Sequence, residues 1–475
     1  MSALDLGGFA AVLATLLWVG RRATVSADAY LVADRSIGLL PLVATLVMTE
    51  FNTSTLLAFS AAGYNAGPMA VALPFVFLVG LLFYTLTVAR PWKRFNRLSV
   101  AELFSERYSP ALGRLASGLL LLAMIGFSAT YVKSLTLIFA PLVPAASPWL
   151  LSAMLSIVVL GVVIGGGLPA IVRSDVVGFW LTVLLLPVLL AIGWSRLAPD
   201  SLAAVFPADQ LVFAPIAQWS HPALPFRFVT TLIVLTCFTY ITAPWYGQKI
   251  FAARNERIAF AAVACSSVLV FLLYGSMVVA AAVYRAVGTP LSDAQTVVPA
   301  MIAAWLPSGL RGVGLAMLFT AALTTLAGVW SAMAAMVAAD FRLSGARTVR
   351  GQRLTMAAFA ILCWLGANLV VDDILNRLIL ANIPVAALSF ALLAGFHWRG
   401  ATTAGAWASA IVGVAWGVGC FVVVGEAGGY TWPWAMYGIP LIFATGIVVS
   451  LATSRHPSPP EGIAAVASTP HRPRA

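Results

Sequence analysis

Charged residues are scarce in this sequence. Asp, Glu, Lys and Arg make up only 9% of its 475 residues, whereas 61% are hydrophobic. Soluble domains carry about 25% charged residues, and apolar runs of about 20 residues, the length that crosses a bilayer, recur along the chain. This composition excludes an ordinary soluble domain and indicates a membrane protein with many spans.

Cysteine and histidine are equally rare, with four residues of each. The cysteines fall inside apolar segments without metal-ligand spacing, which indicates packing residues rather than a disulfide framework or a metal site. No catalytic constellation accompanies the histidines, and no glycine-rich phosphate loop is visible. We therefore expect no enzyme, no cofactor and no ATP-driven pump, so that any uphill transport would use an ion gradient.

The hydropathy pattern predicts an all-α protein with thirteen membrane spans. Basic residues test this count, because cytoplasmic loops are enriched in Lys and Arg. With the N-terminus outside, 21 of the 27 basic residues, Lys249 among them, fall on the cytoplasmic side, and five fall outside. The net charge of +11 therefore reflects topology and predicts no nucleic-acid partner. The predicted spans are residues 5–20, 38–62, 67–89, 112–139, 148–165, 176–195, 228–246, 257–284, 310–338, 354–371, 376–396, 402–424 and 430–452.

Two of these spans contain polar interruptions. Span 2 carries Thr49-Glu50-Phe51-Asn52-Thr53-Ser54-Thr55, and span 7 ends in Thr242-Ala243-Pro244-Trp245-Tyr246. Proline breaks the helical ladder, and irregular backbone inside a membrane is tolerated only where it is buried in protein or lines a cavity. The two spans start five apart, so they cross the membrane in opposite directions. Broken helices at matching places in two inverted halves predict the binding site of a transporter.

Span 9 contains two adjacent threonines, Thr324 and Thr325, in an otherwise apolar helix. Their hydroxyl oxygens suit a hard cation such as Na⁺, and free carbonyls of a broken helix would complete its shell. Alternatively, each hydroxyl bonds a carbonyl one turn earlier in its own helix.

Short motifs across residues 29–400 resemble the sodium/solute symporter family, whose members transport proline, sugars, pantothenate and iodide. They include Tyr30-Leu31-Val32-Ala33-Asp34-Arg35-Ser36, Gly63-Tyr64-Asn65-Ala66-Gly67, the Thr324-Thr325 pair, and Gln248-Lys249, where the family usually has Gln-Arg. The resemblance implies a leucine-transporter-type fold that works by alternating access. Two inverted five-helix repeats would then cover 38–195 and 228–396, with peripheral helices at 1–22 and 402–452.

The resemblance also implies a set of ion ligands. The carbonyls of Met48, Phe51 and Ala321 and the hydroxyls of Thr324 and Thr325 stand where the family binds Na⁺. Sugar-transporting members carry Glu-Gln and Asn-Gln pairs where this chain has Ser54-Thr55 and Ala243-Pro244, so we expect an amino acid or a carboxylate rather than a sugar. The candidate substrate and coupling residues are Glu50, Asn52, Ser54, Thr55, Lys133, Thr242, Pro244 and Trp245.

Glu50 lies about twelve residues into span 2, roughly 18 Å along the helix and therefore near the midplane. An ionisable residue at that depth points to a function. Three hypotheses are open: an ionised carboxylate that tunes Na⁺ affinity, a carboxyl group that titrates and couples transport to protons, and a cap for the N–H groups freed at the helix break.

Three further candidates have alternative roles. Lys133 either snorkels to the outer interface or meets an anionic substrate group or Glu50. Asp175 either caps the start of span 6 or passes sodium on its way out. Trp245 either gates the inner cavity or anchors the chain at the interface.

We therefore expect a Na⁺-coupled symporter in a bacterial inner membrane, with Na⁺, a small solute and the bilayer as partners. A proton-coupled symporter that uses Glu50 and a solute-sensing receptor of the same fold are the alternatives. Sensor members of the family carry long C-terminal extensions, whereas the cytoplasmic tail here, expected to be disordered, spans only residues 453–475.

Overall fold

The computed structural model describes residues 2–21, 27–341, 345 and 348–454, and these form an all-helical protein. No strand occurs in this described part, and the predicted disordered tail lies outside it from residue 455 onward. The α-helices are α1 (Ala3–Gly20), α2 (Ala27–Val32), α3 (Leu39–Glu50), α4 (Thr53–Ala66), α5 (Ala72–Thr87), α6 (Ala89–Phe95), α7 (Glu102–Arg107), α8 (Pro110–Phe139), α9 (Pro148–Val163), α10 (Gly167–Trp194), α11 (Phe226–Tyr240), α12 (Pro244–Ala252), α13 (Glu256–Val287), α14 (Val297–Trp305), α15 (Leu310–Asp340), α16 (Val349–Leu369), α17 (Ile374–Leu380), α18 (Ile383–Ala386), α19 (Ser389–His397), α20 (Thr403–Val424), α21 (Thr431–Pro433) and α22 (Ile439–Thr453).

Many of these helices are suited to a bilayer. Among the described residues, eight helical stretches are long and apolar enough to cross a membrane, or ten if each of two bent pairs forms one span. The bent pairs are α11 with α12, at 50°, and α17–α18 with α19, at 43°. Each of the thirteen predicted spans overlaps a helix. The all-α architecture is confirmed, whereas the number of crossings stays a prediction.

Span 2 is broken after Glu50, where α3 ends and Phe51 adopts φ −77° and ψ 82°. The Asn52 side chain caps α4 by accepting a hydrogen bond from the Thr55 N–H at 2.8 Å. The Asn52 N–H leaves the helical ladder and points to the Glu50 carbonyl and the Tyr274 hydroxyl, each at 2.9 Å. The polar run therefore forms the predicted interruption, because its side chains replace missing helical partners.

Span 7 is broken between Tyr240, which ends α11, and Pro244, which begins α12. Proline at the first helical position loses no hydrogen bond, because its N–H would have no partner in the helix. The Thr242 hydroxyl lies 2.9 Å from the Thr239 carbonyl and 3.3 Å from that of Val385 on α18, so it links the break in span 7 to α18.

The two broken helices lie against the central helix α15, whose side chains are nearly all buried. The start of α3 meets the end of α12: the Ile37 N–H donates to the Ala252 carbonyl at 3.1 Å, and the Arg254 N–H donates to the Ile37 carbonyl at 2.9 Å. Lys249, three residues earlier on α12, reaches Thr45 and Thr49, which lie further along α3. The broken helices therefore run in opposite directions, as the five-span offset predicts.

The packing around the breaks is also symmetric. α13 packs along α3 and α4, while α5 packs along α11. In terms of predicted spans, span 8 contacts span 2 and span 3 contacts span 7, so a shift of five spans exchanges the two contacts. This is the pattern that two inverted five-helix repeats produce. The exact limits of the repeats stay a prediction.

Two of the boundaries that differ from the prediction bury a charge. α10 begins at Gly167 rather than at residue 176, so Asp175 lies inside the helix and is fully buried. The hypothesis that Asp175 caps this helix is therefore wrong. α12 continues past residue 246 to Ala252, which places Lys249 inside the protein and not in a cytoplasmic loop.

Candidate functional site

Four oxygen atoms meet where the break after α3 faces α15. Thr325 Oγ1 lies 3.1 Å from the Met48 carbonyl oxygen and 3.0 Å from that of Ala321. Thr324 Oγ1 lies 3.3 Å and 3.2 Å from the same two oxygens. All four residues are buried. The structure thus brings together four of the five residues proposed as sodium ligands, and we call them the oxygen cluster.

The Met48 carbonyl reaches this cluster because of the helix break. In a continuous helix it would accept the N–H of Asn52, four residues on. That N–H instead points to Glu50 and Tyr274. Two threonine hydroxyls supply only two protons to four oxygens, so lone pairs remain for a cation. Oxygen ligands of this kind suit a hard ion.

The alternative role of the threonines explains only part of this geometry. Thr325 does bond the carbonyl four residues earlier, that of Ala321. Its contact with Met48 joins two different helices, which bonding within its own helix does not require. Phe51, the fifth proposed ligand, lies in the break and stacks on Tyr274 with ring centroids 4.9 Å apart. Its role as a ligand stays a prediction.

Glu50 is the last residue of α3 and is only 2% exposed. The Tyr240 hydroxyl donates to Glu50 Oε2 at 2.5 Å, which links the break in span 2 to the end of α11. Oε1 has no hydrogen-bond partner within the described residues. The side chain does not cap α4, because Asn52 does so, and the capping hypothesis is therefore wrong. The sodium-tuning and proton-coupling hypotheses stay open.

A cavity lies beside the two breaks. Asn52, Thr55 and Trp245 line it, as does Tyr240, the donor to Glu50. No charged side chain of the described chain belongs to its lining. An apolar wall with a few polar groups is typical of sites for small organic molecules. The other lining residues are Phe59, Val76, Phe77, Phe127, Tyr131, Leu232, Leu235, Thr236, Thr239, Leu375, Leu378, Ile379 and Asn382.

The remaining candidate substrate residues lie outside this lining. The Ser54 hydroxyl faces α8, 3.1 Å from the Thr130 carbonyl. Thr242 and Pro244 shape the break in span 7. By contrast, Trp245 is 8% exposed and packs edge-to-face on Phe127 at 5.2 Å between centroids. The interfacial-anchor hypothesis for Trp245 is therefore wrong.

Lys133 is half-buried on α8. It makes no ion pair with any described residue, so the pair with Glu50, one of the alternatives for Lys133, is absent. It is also missing from the cavity lining. This environment is compatible with snorkelling to the interface, and the lining of the cavity does not support a substrate contact at Lys133.

A buried ion pair next to the oxygen cluster is the residue pair that sequence reasoning missed. Lys249 Nζ lies 2.9 Å from Asp175 Oδ2, and the two side chains are 1% and 0% exposed. Nζ also donates to the Thr45 carbonyl at 2.9 Å and to the Thr49 hydroxyl. The signal available in the sequence was a charge at the edge of each of two apolar segments. The two residues are 74 positions apart, so local patterns could not predict that they pair.

Comparison with known proteins settles the family. The model of the Sodium:solute symporter family matches residues 30–413. The chain belongs to this family. A sodium/pantothenate symporter of Haemophilus influenzae is 23% identical over 424 residues, which cover 84% of each chain. A solved structure, the substrate-bound outward-open state of a Na⁺-coupled sialic acid symporter, matches with a TM-score of 0.78 at 17% identity, over 95% of this chain and 98% of that one.

Membership confirms several expectations about this symporter-family protein. It is an integral membrane protein of a family of transporters, not enzymes, whose partners are Na⁺, a small solute and the bilayer. The structural match confirms the leucine-transporter-type fold. The family match, over residues 30–413, includes the broken helices and α15, which hold the oxygen cluster.

Proposed function

We propose that this protein is a secondary active transporter that couples Na⁺ to the uptake of a small organic carboxylate by alternating access. The oxygen cluster carries this proposal, because it joins a helix break to the central helix α15 beside an organic-ligand cavity. Na⁺ in the cluster would tie α3 to α15 and would stabilise one arrangement of the bundle over another. The proposed ligands are Met48, Phe51, Ala321, Thr324 and Thr325.

The character of the cavity supports a carboxylate solute. Its lining is uncharged, yet Asn52 and Thr55 place it at the N-terminus of α4. A helix N-terminus carries about half a positive charge and attracts anionic groups, and half-helix N-termini serve this purpose in transporters. Pantothenate and sialic acid, the solutes named for two relatives, are both carboxylic acids.

The other candidate residues take supporting roles in this proposal. Tyr240 lines the cavity and donates to Glu50, so it connects the solute to the helix break. Trp245 forms one wall of the cavity and is a proposed gate. Ser54, Thr242 and Pro244 hold the shape of the two breaks. Asp175 remains a proposed residue on the inner ion path, which opens only if its contact with Lys249 breaks.

The test is uptake into proteoliposomes at fixed pH with an inward Na⁺ gradient, using radiolabelled pantothenate, sialic acid and proline. Thr325→Ala removes one cation ligand, a contact worth about 1.5–3 kcal/mol with a charged partner. We expect the half-saturating Na⁺ concentration to rise about ten- to a hundredfold. Thr320→Ala is the matched control, because Thr320 lies on the same helix and, among the described residues, its hydroxyl bonds only the Ala316 carbonyl, at 2.7 Å.

Three other outcomes would contradict the proposal. Equal Na⁺ dependence in Thr325→Ala and the native chain would exclude the oxygen cluster as the coupling site. Uptake that ignores Na⁺, follows a pH gradient and disappears in Glu50→Gln would establish proton coupling, which the unpartnered Oε1 atom of Glu50 makes the second candidate. Solute binding detected by tryptophan fluorescence without any uptake would indicate a receptor.

A further inference from the structure

The ammonium group of Lys249 lies in an enclosure of oxygen atoms. Its three N–H groups point to three different acceptors: Asp175 Oδ2 at 2.9 Å, the Thr45 carbonyl at 2.9 Å, and the Thr49 hydroxyl. The Thr45 hydroxyl donates to the same carboxylate oxygen. We call Thr45, Thr49, Asp175 and Lys249 the lysine cage. The cage closes against α15 at Gly328, where a Cβ atom would lie 3.7 Å from Nζ.

The acceptors of the cage are those of a metal-cation site. A carboxylate, a main-chain carbonyl and a hydroxyl are the oxygen ligands that hard cations prefer. All of them are buried, and Asp175 Oδ1 keeps free acceptor capacity, with no hydrogen-bond partner in the described chain. A buried carboxylate needs a positive partner, and here that partner is covalently attached to α12.

The cage also lies immediately beside the oxygen cluster. Thr49 directly follows Met48 on α3, and Gly328 lies one turn beyond Thr324 on α15. A cation in each place would therefore contact the same two helices. The cage adds α10, through Asp175, and α12, through Lys249, which is the second half of the other broken helix.

We propose that the lysine cage is a second cation site, in which the ammonium of Lys249 occupies the place of a free alkali-metal ion. As long as Lys249 keeps its contact with Asp175, the site is filled and does not exchange with solution. Removal of the ammonium leaves the Asp175 carboxylate with the Thr45 and Thr49 oxygens, and this set binds Na⁺. The inference concerns the number of Na⁺ ions that the protein binds, and it holds whether or not the oxygen cluster is the coupling site.

The test counts sodium ions bound to the full chain in detergent with ²²Na⁺, at one pH and at constant ionic strength set with choline chloride. We expect Lys249→Met to bind one more Na⁺ per protein than the native chain. Lys249→Arg keeps a cation and should bind the native number, as should the double variant Lys249→Met with Asp175→Asn. Lys133→Met is the matched control, because it removes an equal charge from a half-buried lysine outside any ion pair with described residues.

The native number of bound Na⁺ in a folded Lys249→Met chain would overturn the inference, since the carboxylate would then have taken up a proton. If Lys249→Met does not fold, Asp175→Asn in the native background decides the question. The inference expects no change in bound Na⁺ there, whereas loss of one Na⁺ would show that Asp175 already holds an exchangeable ion. Adding Thr325→Ala to Lys249→Met separates the two sites, because only the ion of the oxygen cluster should then be lost.

Discussion

At the scale of single residues, the membrane interior holds carboxylates whose surroundings differ sharply. Asp175 is neutralised by a lysine at 2.9 Å, whereas Glu50 receives one tyrosine hydroxyl and makes no ion pair with a described residue. An isolated buried charge costs several kcal/mol, and removing one member of a buried pair costs about 3–5 kcal/mol. Asp175 therefore depends on its partner for stability, whereas Glu50 depends on no charged group of the described chain.

Lys93 offers a residue-scale prediction outside the membrane-spanning helices. It lies on α6, and its Nζ atom donates to Phe251 O at 2.8 Å and to Asn96 Oδ1 at 2.9 Å. Burial, with a smaller effect from Arg35, lowers the pKa of Lys93 to about 8. Between pH 8 and about 10.5 the unfolded chain then binds more protons than the folded chain, so stability rises with pH.

We expect the thermal midpoint of the solubilised native protein to increase from pH 7.5 to pH 10 by more than that of Lys93→Met. Circular dichroism against temperature at both pH values provides the measurement. Lys133→Met, which removes one lysine elsewhere, should keep the native pH response. Identical pH responses of Lys93→Met and the native chain would show that Lys93 does not contribute.

At the scale of helices, α13 packs closely against α4, the second half of broken span 2, because Gly63 on α4 has no side chain. A Cβ atom at Gly63 on α4 would lie 2.4 Å from the Val278 carbonyl oxygen on α13. Backbone atoms cannot yield as a flexible side chain does, so Gly63→Ala must separate the two helices. We expect a loss of about 1–3 kcal/mol in stability, the usual cost of overpacking, together with weaker Na⁺ binding.

Gly275→Ala on α13 is the control for this substitution, because no neighbouring atom of the described chain lies within 4 Å of the position that its Cβ would occupy. Alanine is the better helix former by about 1 kcal/mol, so this variant should match or exceed native stability. Thermal unfolding in detergent, with and without NaCl, measures both effects. A neutral Gly63→Ala variant would mean that α4 and α13 do not pack at this distance.

Helices and breaks were predictable from local sequence, whereas contacts between residues far apart in the sequence were not. The apolar runs and the polar stretch around Asn52 carry their own signals, so both interruptions were placed correctly. The start of α10 was placed too late because Asp175 looked like a residue at a membrane surface. Its charge is acceptable inside only because Lys249 reaches it from another helix. Such compensation leaves no periodic pattern in either segment.

At the scale of the whole molecule, the two broken helices contact the same short stretch of α15. Met48 on α3 and Lys249 on α12 both lie against α15, within about one helical turn along that helix. If Na⁺ binds in the oxygen cluster, as we propose, its binding or loss would alter contacts that both halves of the protein share. One ion at this place would then bias the equilibrium between two states of the bundle, provided its affinity for them differs.

The orientation of the chain is the last prediction, and it rests on charge. With Lys249 buried, 20 basic residues remain on the cytoplasmic side against five outside, so the bias toward an outer N-terminus persists. We expect a cysteine at Ser2 to react with a membrane-impermeant maleimide in right-side-out vesicles, and a cysteine at Thr348 to react only after permeabilisation. Both positions are exposed, and the native cysteines would first be replaced by alanine. The reverse labelling pattern would invert the topology and would place the lysine cage on the outer side of the oxygen cluster, where it would obstruct entry of the ion and not its exit.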